Sequence, residues 1–195
     1  MGRVLNIAIA SVGGQGGLTL SRVLAIAAVL DGYSVRTGET LGMSQRFGSV
    51  VSYVRIGDRV FSPTFSDGEA DYILGLEIIE TVRALRLLKS GGVVIVSDVV
   101  KPPISASLSR EVYSRSKLLE AIGGSVSTVV VPAQKLAAEV GNPRAANMVV
   151  LGVFHRLQSV LSSSSIKKAI SEVVPSKWLE SSLAAFELGV NYLKT

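Results

Sequence analysis

The 195-residue chain reads as a three-layer α/β fold with a mostly parallel sheet and a helical C-terminus. Three observations carry that reading. Short β-branched runs alternate with amphipathic stretches at helical spacing, the order that builds a parallel sheet with helices on its faces. A glycine-rich turn joins the first such run to the first amphipathic stretch. With 48% hydrophobic and 18% charged residues, the chain is too apolar for disorder. It is long enough to bury roughly two-thirds of its surface without a metal or disulfide staple.

The elements follow in order. Val4–Ala10 is a buried strand, and Leu18–Leu30 a helix with Leu20, Val23, Leu24, Ala27 and Ala28 on one face. Tyr33–Thr37 is a second strand, followed by a polar, glycine-containing segment over 38–48. Ser49–Ile56 is β-rich, and Gly57-Asp58 before Arg59-Val60-Phe61 predicts an antiparallel hairpin over 49–61. Asp71–Leu76 is a strand and Glu77–Leu88 a helix that Ser90-Gly91-Gly92 ends. Val93–Ser97 is a strand buried on both faces. A helix over Arg115–Ile122, a strand over Ser125–Val131 and a helix over Pro132–Val140 follow. Asn142 is placed to cap and Pro143 to open a helix over Arg144–Leu161. Ser162–Ser165 is a polar break, and Ile166–Val174 and Trp178–Leu193 are helical. The break is too short for an interdomain linker, so the expectation is one domain over 1–195, with 144–195 as its helical extension.

Composition excludes several chemistries. With no cysteine, the chain can form no disulfide, thiolate nucleophile or cysteine-ligated iron–sulfur cluster of its own. A single histidine, His155, argues against a zinc site. The net charge of +5 comes entirely from residues 101–195, where eleven Lys/Arg face six Asp/Glu. Those cations are scattered, without the dense aromatic-interleaved stripe of a nucleic-acid groove. They suit an acidic partner or a phosphate-bearing ligand. No run of 18 apolar residues occurs, so no transmembrane helix and a cytoplasmic location are expected.

Gly13-Gly14-Gln15-Gly16-Gly17 stands where nucleotide folds place a phosphate loop. Glycines let backbone approach a ligand, and the N–H groups opening a helix attract anions. From Gly14 the pattern reads G-x-G-x-x-T, a partial dinucleotide fingerprint in a Rossmann-like arrangement, with Thr19 in place of the last glycine. Glu39, 25 residues after Gly14, is a candidate for a ribose hydroxyl. The same glycines also fit a plain strand-to-helix turn that binds nothing. No Gly-Lys-Ser/Thr follows, so the turn is not a Walker loop.

The turn, taken with Thr37-Gly38-Glu39-Thr40-Leu41-Gly42-Met43-Ser44-Gln45-Arg46-Phe47-Gly48 and the β-run after it, resembles a known family. It is similar to the gamma-type subunits of 2-oxoacid:ferredoxin oxidoreductases, with the likeness strongest to the small subunit of the indolepyruvate enzymes. Ala70-Asp71, Gly75-Leu76-Glu77, Gly141-Asn142-Pro143-Arg144, Asn147 and Leu151-Gly152 extend the likeness over about residues 6–155. Phe47 departs from it, standing where a small residue is expected.

The resemblance implies an accessory subunit of a thiamine-diphosphate-dependent enzyme that decarboxylates a 2-oxoacid, passes electrons to ferredoxin and forms acyl-coenzyme A. The thiamine motif Gly-Asp-Gly followed by Asn is missing, because Ser66 precedes Asp67-Gly68 and no asparagine lies between Asn6 and Asn142. Thiamine diphosphate and the clusters are therefore expected on a large partner subunit, with ferredoxin reached through the complex. A homodimer is the alternative assembly for the isolated chain.

No catalytic or metal-binding residue is expected. Coenzyme A is the candidate ligand, with Gly13, Gly14, Gln15, Gly16, Glu39, Ser44, Gln45 and Arg46 as candidate binding residues. Arg46 would neutralise a phosphate or carboxylate, or pair with Glu39. Asp98, Arg144, Asn147, His155 and Trp178 read as structural or docking residues. Two other functions fit the same turn: a stand-alone NAD- or flavin-nucleotide oxidoreductase, and a ligand-free assembly module.

Overall fold

The computed structural model describes residues 4–42, 48–103, 113–124 and 126–194. Six strands form one sheet: β1 (Leu5–Val12), β2 (Ser34–Leu41), β3 (Ser49–Gly57), β4 (Ala70–Gly75), β5 (Leu88–Ser97) and β6 (Ser127–Val131). Their spatial order is β2-β3-β1-β4-β5-β6. β1, β4, β5 and β6 pair in parallel, whereas β3 runs antiparallel to both of its neighbours, β1 and β2. The sheet is thus mostly parallel, with β3 as its one reversed strand.

Seven helices lie among the described residues: α1 (Gly17–Leu30), α2 (Ile78–Ala84), α3 (Arg115–Gly123), α4 (Ala133–Glu139), α5 (Ala146–Leu157), α6 (Ser163–Val173) and α7 (Ser176–Asn191). They cover both faces, which gives three layers. Strand side chains alternate faces, so Ile7 and Ile9 of β1 pack with Leu20 and Leu24 of α1 and Phe154 of α5. Ala8 and Ala10 pack on the other face with Ile78 of α2 and Ile122 of α3.

α5 is the most buried helix, with every residue from Met148 to Phe154 inside. It meets α7 backbone to backbone. A Cβ on Gly152 would stand 2.7 Å from the Val190 nitrogen, and one on Gly189 would stand 2.9 Å from the Val149 carbonyl carbon. Small residues on both sides permit that approach.

Several boundaries differ from the sequence expectation. The hairpin over 49–61 is replaced by one between β2 and β3: Gly57 pairs with Ser34 and Val50 with Leu41. Both backbone edges of β3 are thereby used, by β1 and by β2, so Arg59-Val60-Phe61 has no ladder to join. β2 runs on to Leu41, through Gly38 and Glu39, because β3 pairs with it along its whole length.

The helix expected over 77–88 ends at Ala84 and tightens into a 3₁₀ turn over Leu85–Leu87. β5 then starts at Leu88, ahead of the glycines, with an irregularity between the Ala70–Leu88 and Tyr72–Val93 pairs. Asn142 holds the N-cap position ahead of Pro143 but makes no side-chain cap bond; its Nδ2 donates instead to Ser181 Oγ on α7 at 2.9 Å. The helix expected over 144–161 opens as a 3₁₀ turn at Pro143–Ala145 and stops at Leu157. Gln158 stops it: its Oε1 accepts from the N–H groups of Val160 and Leu161 at 2.5 and 2.7 Å. The serine break is the start of α6, where Ser162 Oγ accepts from the Ser165 N–H at 3.2 Å.

Candidate functional site

The glycine turn sits at the carboxyl end of β1, the edge where open α/β sheets bind ligands. Gly14 and Gly16 have φ of 98° and 85°, a left-handed backbone in which a side chain would be strained. The Gly13 N–H donates to the Gly48 carbonyl at 2.9 Å and the Gln15 N–H to the Val12 carbonyl at 3.1 Å. Gln15 locks the turn with its side chain. Its Oε1 accepts from the Val12 N–H at 2.8 Å, and its Nε2 donates to the Leu76 carbonyl at 3.1 Å. Both of its polar atoms therefore serve the ends of β1 and β4.

Gly16 is the N-cap of α1, so the first-turn N–H groups of that helix lack helical acceptors and face outward. Asn147 at the start of α5 holds this turn, donating from Nδ2 to the Gly16 carbonyl at 3.2 Å.

A cleft of about 450 Å³ opens over the carboxyl ends of β1, β4 and β5. Gly14, Gln15, Gly16 and Thr19 form one wall, and Asn142 to Met148 another. Val174, Pro175 and Trp178 close the third side, where α6 passes into α7. Ser97, the last residue of β5, belongs to the cleft lining and is 2% exposed. Its Oγ is buried and, among the described residues, has no hydrogen-bond partner. Such a group costs about 1–3 kcal/mol while it stays unpaired.

Two cations line the cleft, Lys101 and Arg144, and among the described residues neither has an acidic partner. Lys101 is brought there by its backbone N–H, which donates to Glu77 Oε1 at 2.9 Å. Glu77 is fully buried and its Oε2 also caps α2 by accepting from the Glu80 N–H at 2.8 Å. Among the described residues, no Asp, Glu, His or Tyr lines the cleft. The helix start, Lys101 and Arg144 are chemistry that suits an anion, and no carboxylate or imidazole that could take a proton stands beside them among the described residues.

The candidate residues fall into three sets. Gly14, Gln15 and Gly16 line the cleft, and Gly13 lies behind it, tied to Gly48. Glu39 lies elsewhere, exposed on the outer strand β2. It pairs with Ser52, which pairs with Ile9, so two strand spacings, about 10 Å, separate it from β1. Its sequence distance from Gly14 suits a dinucleotide fold in which the second strand adjoins the first; here β3 intervenes. Ser44, Gln45 and Arg46 lie outside the described residues.

Sequence reasoning passed over Ser97, Lys101 and Gln134 as site residues and read Trp178 as an anchor. The available signal was position, since Ser97 and Lys101 follow a buried strand at the ligand edge. Asp98, the residue singled out there, instead pairs with Arg115 at 3.1 Å. His155 is remote from the cleft. It hydrogen-bonds Gln158 Nε2 at 3.1 Å and lies against the Phe186 ring, and burial pulls its pKa below the usual value. No trio of His, Cys, Asp or Glu able to hold a metal occurs among the described residues. No helix among them is long and apolar enough to cross a membrane.

The fold and its length have close parallels in known proteins. Indolepyruvate oxidoreductase subunit IorB of Thermococcus kodakarensis is 40% identical over 195 residues, covering 97% of this chain and 96% of its own. The gamma subunit of a keto/oxoacid ferredoxin oxidoreductase from Geobacter sulfurreducens superimposes with a TM-score of 0.74 at 26% identity, covering 98% of this chain and 99% of that one. In fold alone, the chain also matches 31% of the 2-oxoglutarate:ferredoxin oxidoreductase of Magnetococcus marinus, with a TM-score of 0.76 at 20% identity and 98% of this chain covered. The profile of the pyruvate ferredoxin/flavodoxin oxidoreductase family matches residues 6–192, nearly the whole chain. By that match, and by full-length likeness to such subunits, the chain belongs to the pyruvate ferredoxin/flavodoxin oxidoreductase family.

Proposed function

We propose that this chain is the cofactor-free subunit of a 2-oxoacid:ferredoxin oxidoreductase of the indolepyruvate type. In this reading it closes over an active site carried by a larger cytoplasmic partner and contributes a binding surface for coenzyme A. The observation that carries the proposal is 40% identity to an indolepyruvate oxidoreductase subunit along almost the entire length of both chains.

The residues fit such a division of labour. With no cysteine, this chain offers no thiolate for a cluster. Among the described residues, no carboxylate or histidine lines the cleft to hold the metal of a thiamine site. Clusters and thiamine diphosphate do not fit this chain, and the proposal assigns them, with ferredoxin docking, to the partner. Coenzyme A does fit. The glycine turn, Lys101 and Arg144 give its phosphates backbone donors and two cations.

A stand-alone dinucleotide oxidoreductase is less well supported, because among the described residues no carboxylate lines the cleft to take a ribose diol. Reconstitution tests the proposal. Together with the large subunit, the chain should restore coenzyme-A-dependent oxidation of an aryl-pyruvate with ferredoxin as acceptor. Unchanged turnover with and without it would defeat the proposal. Full activity after bulky substitution at Gly14 would favour a ligand-free assembly role.

A further inference from the structure

We propose that β2 is an interface strand. It pairs edge to edge with β2 of a second copy of this chain, antiparallel, about a two-fold axis at Gly38. The surface lies beyond β3, away from the cleft, and the inference is independent of what the cleft binds.

β2 ends the sheet, with β3 as its only neighbour there. The Gly42 N–H donates to the Ser49 carbonyl at 3.1 Å, and these two residues continue the register in which Leu41 pairs with Val50. In an antiparallel ladder, residues that exchange bonds with a neighbour alternate with residues that point away from it. The even-numbered residues of β2 therefore bond to β3, and the backbone groups of Val35, Thr37, Glu39 and Leu41 point outward. Arg36 agrees with this, since its Nη1 donates to the Val35 carbonyl at 2.8 Å, a group the ladder leaves free. Thr37, Glu39 and Leu41 have no such cover, and among the described residues nothing bonds to their outward groups. A free edge is a template for another strand, and proteins usually shorten or block it. The opposite edge is treated in that way: β6 has five residues, and Tyr192 Oη donates to the Val130 carbonyl at 3.0 Å. β2 has eight residues, no proline, no lysine and an unbroken register with β3.

The side chains say what fits this edge. Val35 packs toward α1, so Thr37, Glu39 and Leu41 lie on the same face of the sheet. Leu41 is 58% exposed, a large apolar side chain beside free backbone groups. With the two-fold axis at Gly38, Thr37 exchanges bonds with Glu39 of the second copy, and Val35 stands opposite its Leu41. Leucine then meets valine, and the threonine hydroxyl meets the carboxylate. On the other face Arg36 stands opposite Thr40 of the second copy, so no charge meets its own sign. The neighbouring registers lack this match. Moving the axis to Glu39 sets that carboxylate against its own copy. Moving it to Thr37 sets the carboxylate opposite Val35 and leaves Leu41 uncovered. β2 is thus complementary to itself in one register, which is what a two-fold interface requires.

Sedimentation equilibrium of the full chain across the micromolar range should show a reversible dimer. Glu39→Pro removes an N–H that points away from β3, so the ladder inside the chain survives while the edge is blocked. It should weaken dimerisation about tenfold or more, with circular dichroism and the thermal midpoint nearly unchanged. Leu41→Lys, which keeps every backbone group, should weaken it severalfold. The register is read by cross-linking, because the chain has no cysteine of its own. Opposed residues of a bonded pair lie about 5.5 Å apart at Cα, within reach of a disulfide. Chains carrying Thr37→Cys, mixed with chains carrying Glu39→Cys and oxidised, should form the mixed dimer. Neither variant alone should cross-link.

A chain that stays monomeric throughout, alone and in its reconstituted complex, would overturn the inference. So would a dimer that forms equally well with Glu39→Pro and Leu41→Lys, since its interface would lie elsewhere. Cross-linking of Thr37→Cys with itself would overturn the axis at Gly38. If the chain alone is monomeric and Glu39→Pro instead prevents uptake by the large subunit, the edge belongs to a strand of that partner and the second copy is excluded. None of these results bears on ferredoxin reduction by the reconstituted complex, so this inference and the proposed function can fail separately.

Discussion

Asn147 donates from Nδ2 to the carbonyl oxygen of Gly16 at 3.2 Å, across 131 residues of sequence. This bond ties the start of α5 to the turn that opens α1, so the glycine loop is held from both the sheet and the C-terminal helices. A Cβ on Gly16 would stand 2.5 Å from that same nitrogen. Gly16→Ala should therefore meet two penalties, a strained left-handed backbone and a displaced Asn147, and lose about 2–3 kcal/mol of stability. In denaturant titrations the double variant with Asn147→Ala should be less destabilised than the sum of the singles, since the clash and the bond share one partner.

Gln15 is expected to act through structure more than through ligand contact. Gln15→Glu keeps an acceptor for the Val12 N–H but sets an anionic oxygen against the Leu76 carbonyl, now 3.1 Å from Nε2. The expected cost is about 1–3 kcal/mol. The midpoint of chemical unfolding reads it without any ligand present.

Gly152 and Gly189 separate packing from propensity. Either glycine changed to alanine would drive a methyl group into the facing helix backbone and should destabilise by about 1–3 kcal/mol or prevent folding. Gly123, at the end of α3, has open space around it, with nothing within 4 Å of the point a methyl group would occupy. Gly123→Ala should be neutral or stabilise by up to about 1 kcal/mol, which thermal melts will show.

His155 sets a pH dependence. Burial favours its neutral form and outweighs the pull of Glu187, so its folded pKa lies below the ordinary 6.5. The unfolded chain then takes up the proton first as pH falls. Stability should decline as pH drops below about 6.5 and level off once the folded histidine also protonates. His155→Gln should flatten that decline between pH 7 and 5, measured as unfolding midpoints across the range.

Much of the fold was legible in the sequence because it depends on local pattern. The β-branched runs and the periodic helices identify β1, β4, β5 and β6 and nearly all helices, with errors of a few residues at their ends. The partner of β3 was not legible. Gly57-Asp58 is a sound hairpin signal, but both edges of β3 are taken by strands that begin far from that turn. The glycine turn and Asn147 were visible as motifs. Glu39 was misplaced because sequence spacing carries no record of β3 inserted between β1 and β2. Ser97 and Lys101 bear no motif at all, and only the convergence of strand ends brings them beside the turn.

The central claim is that this chain completes a reaction whose cofactors lie elsewhere. The most direct measurement is the rate of coenzyme-A-dependent ferredoxin reduction by the large subunit, with an aryl-pyruvate as substrate, before and after this chain is added. The account predicts little or no turnover from the large subunit alone and full turnover at one equivalent of this chain. Full turnover without it would contradict the account.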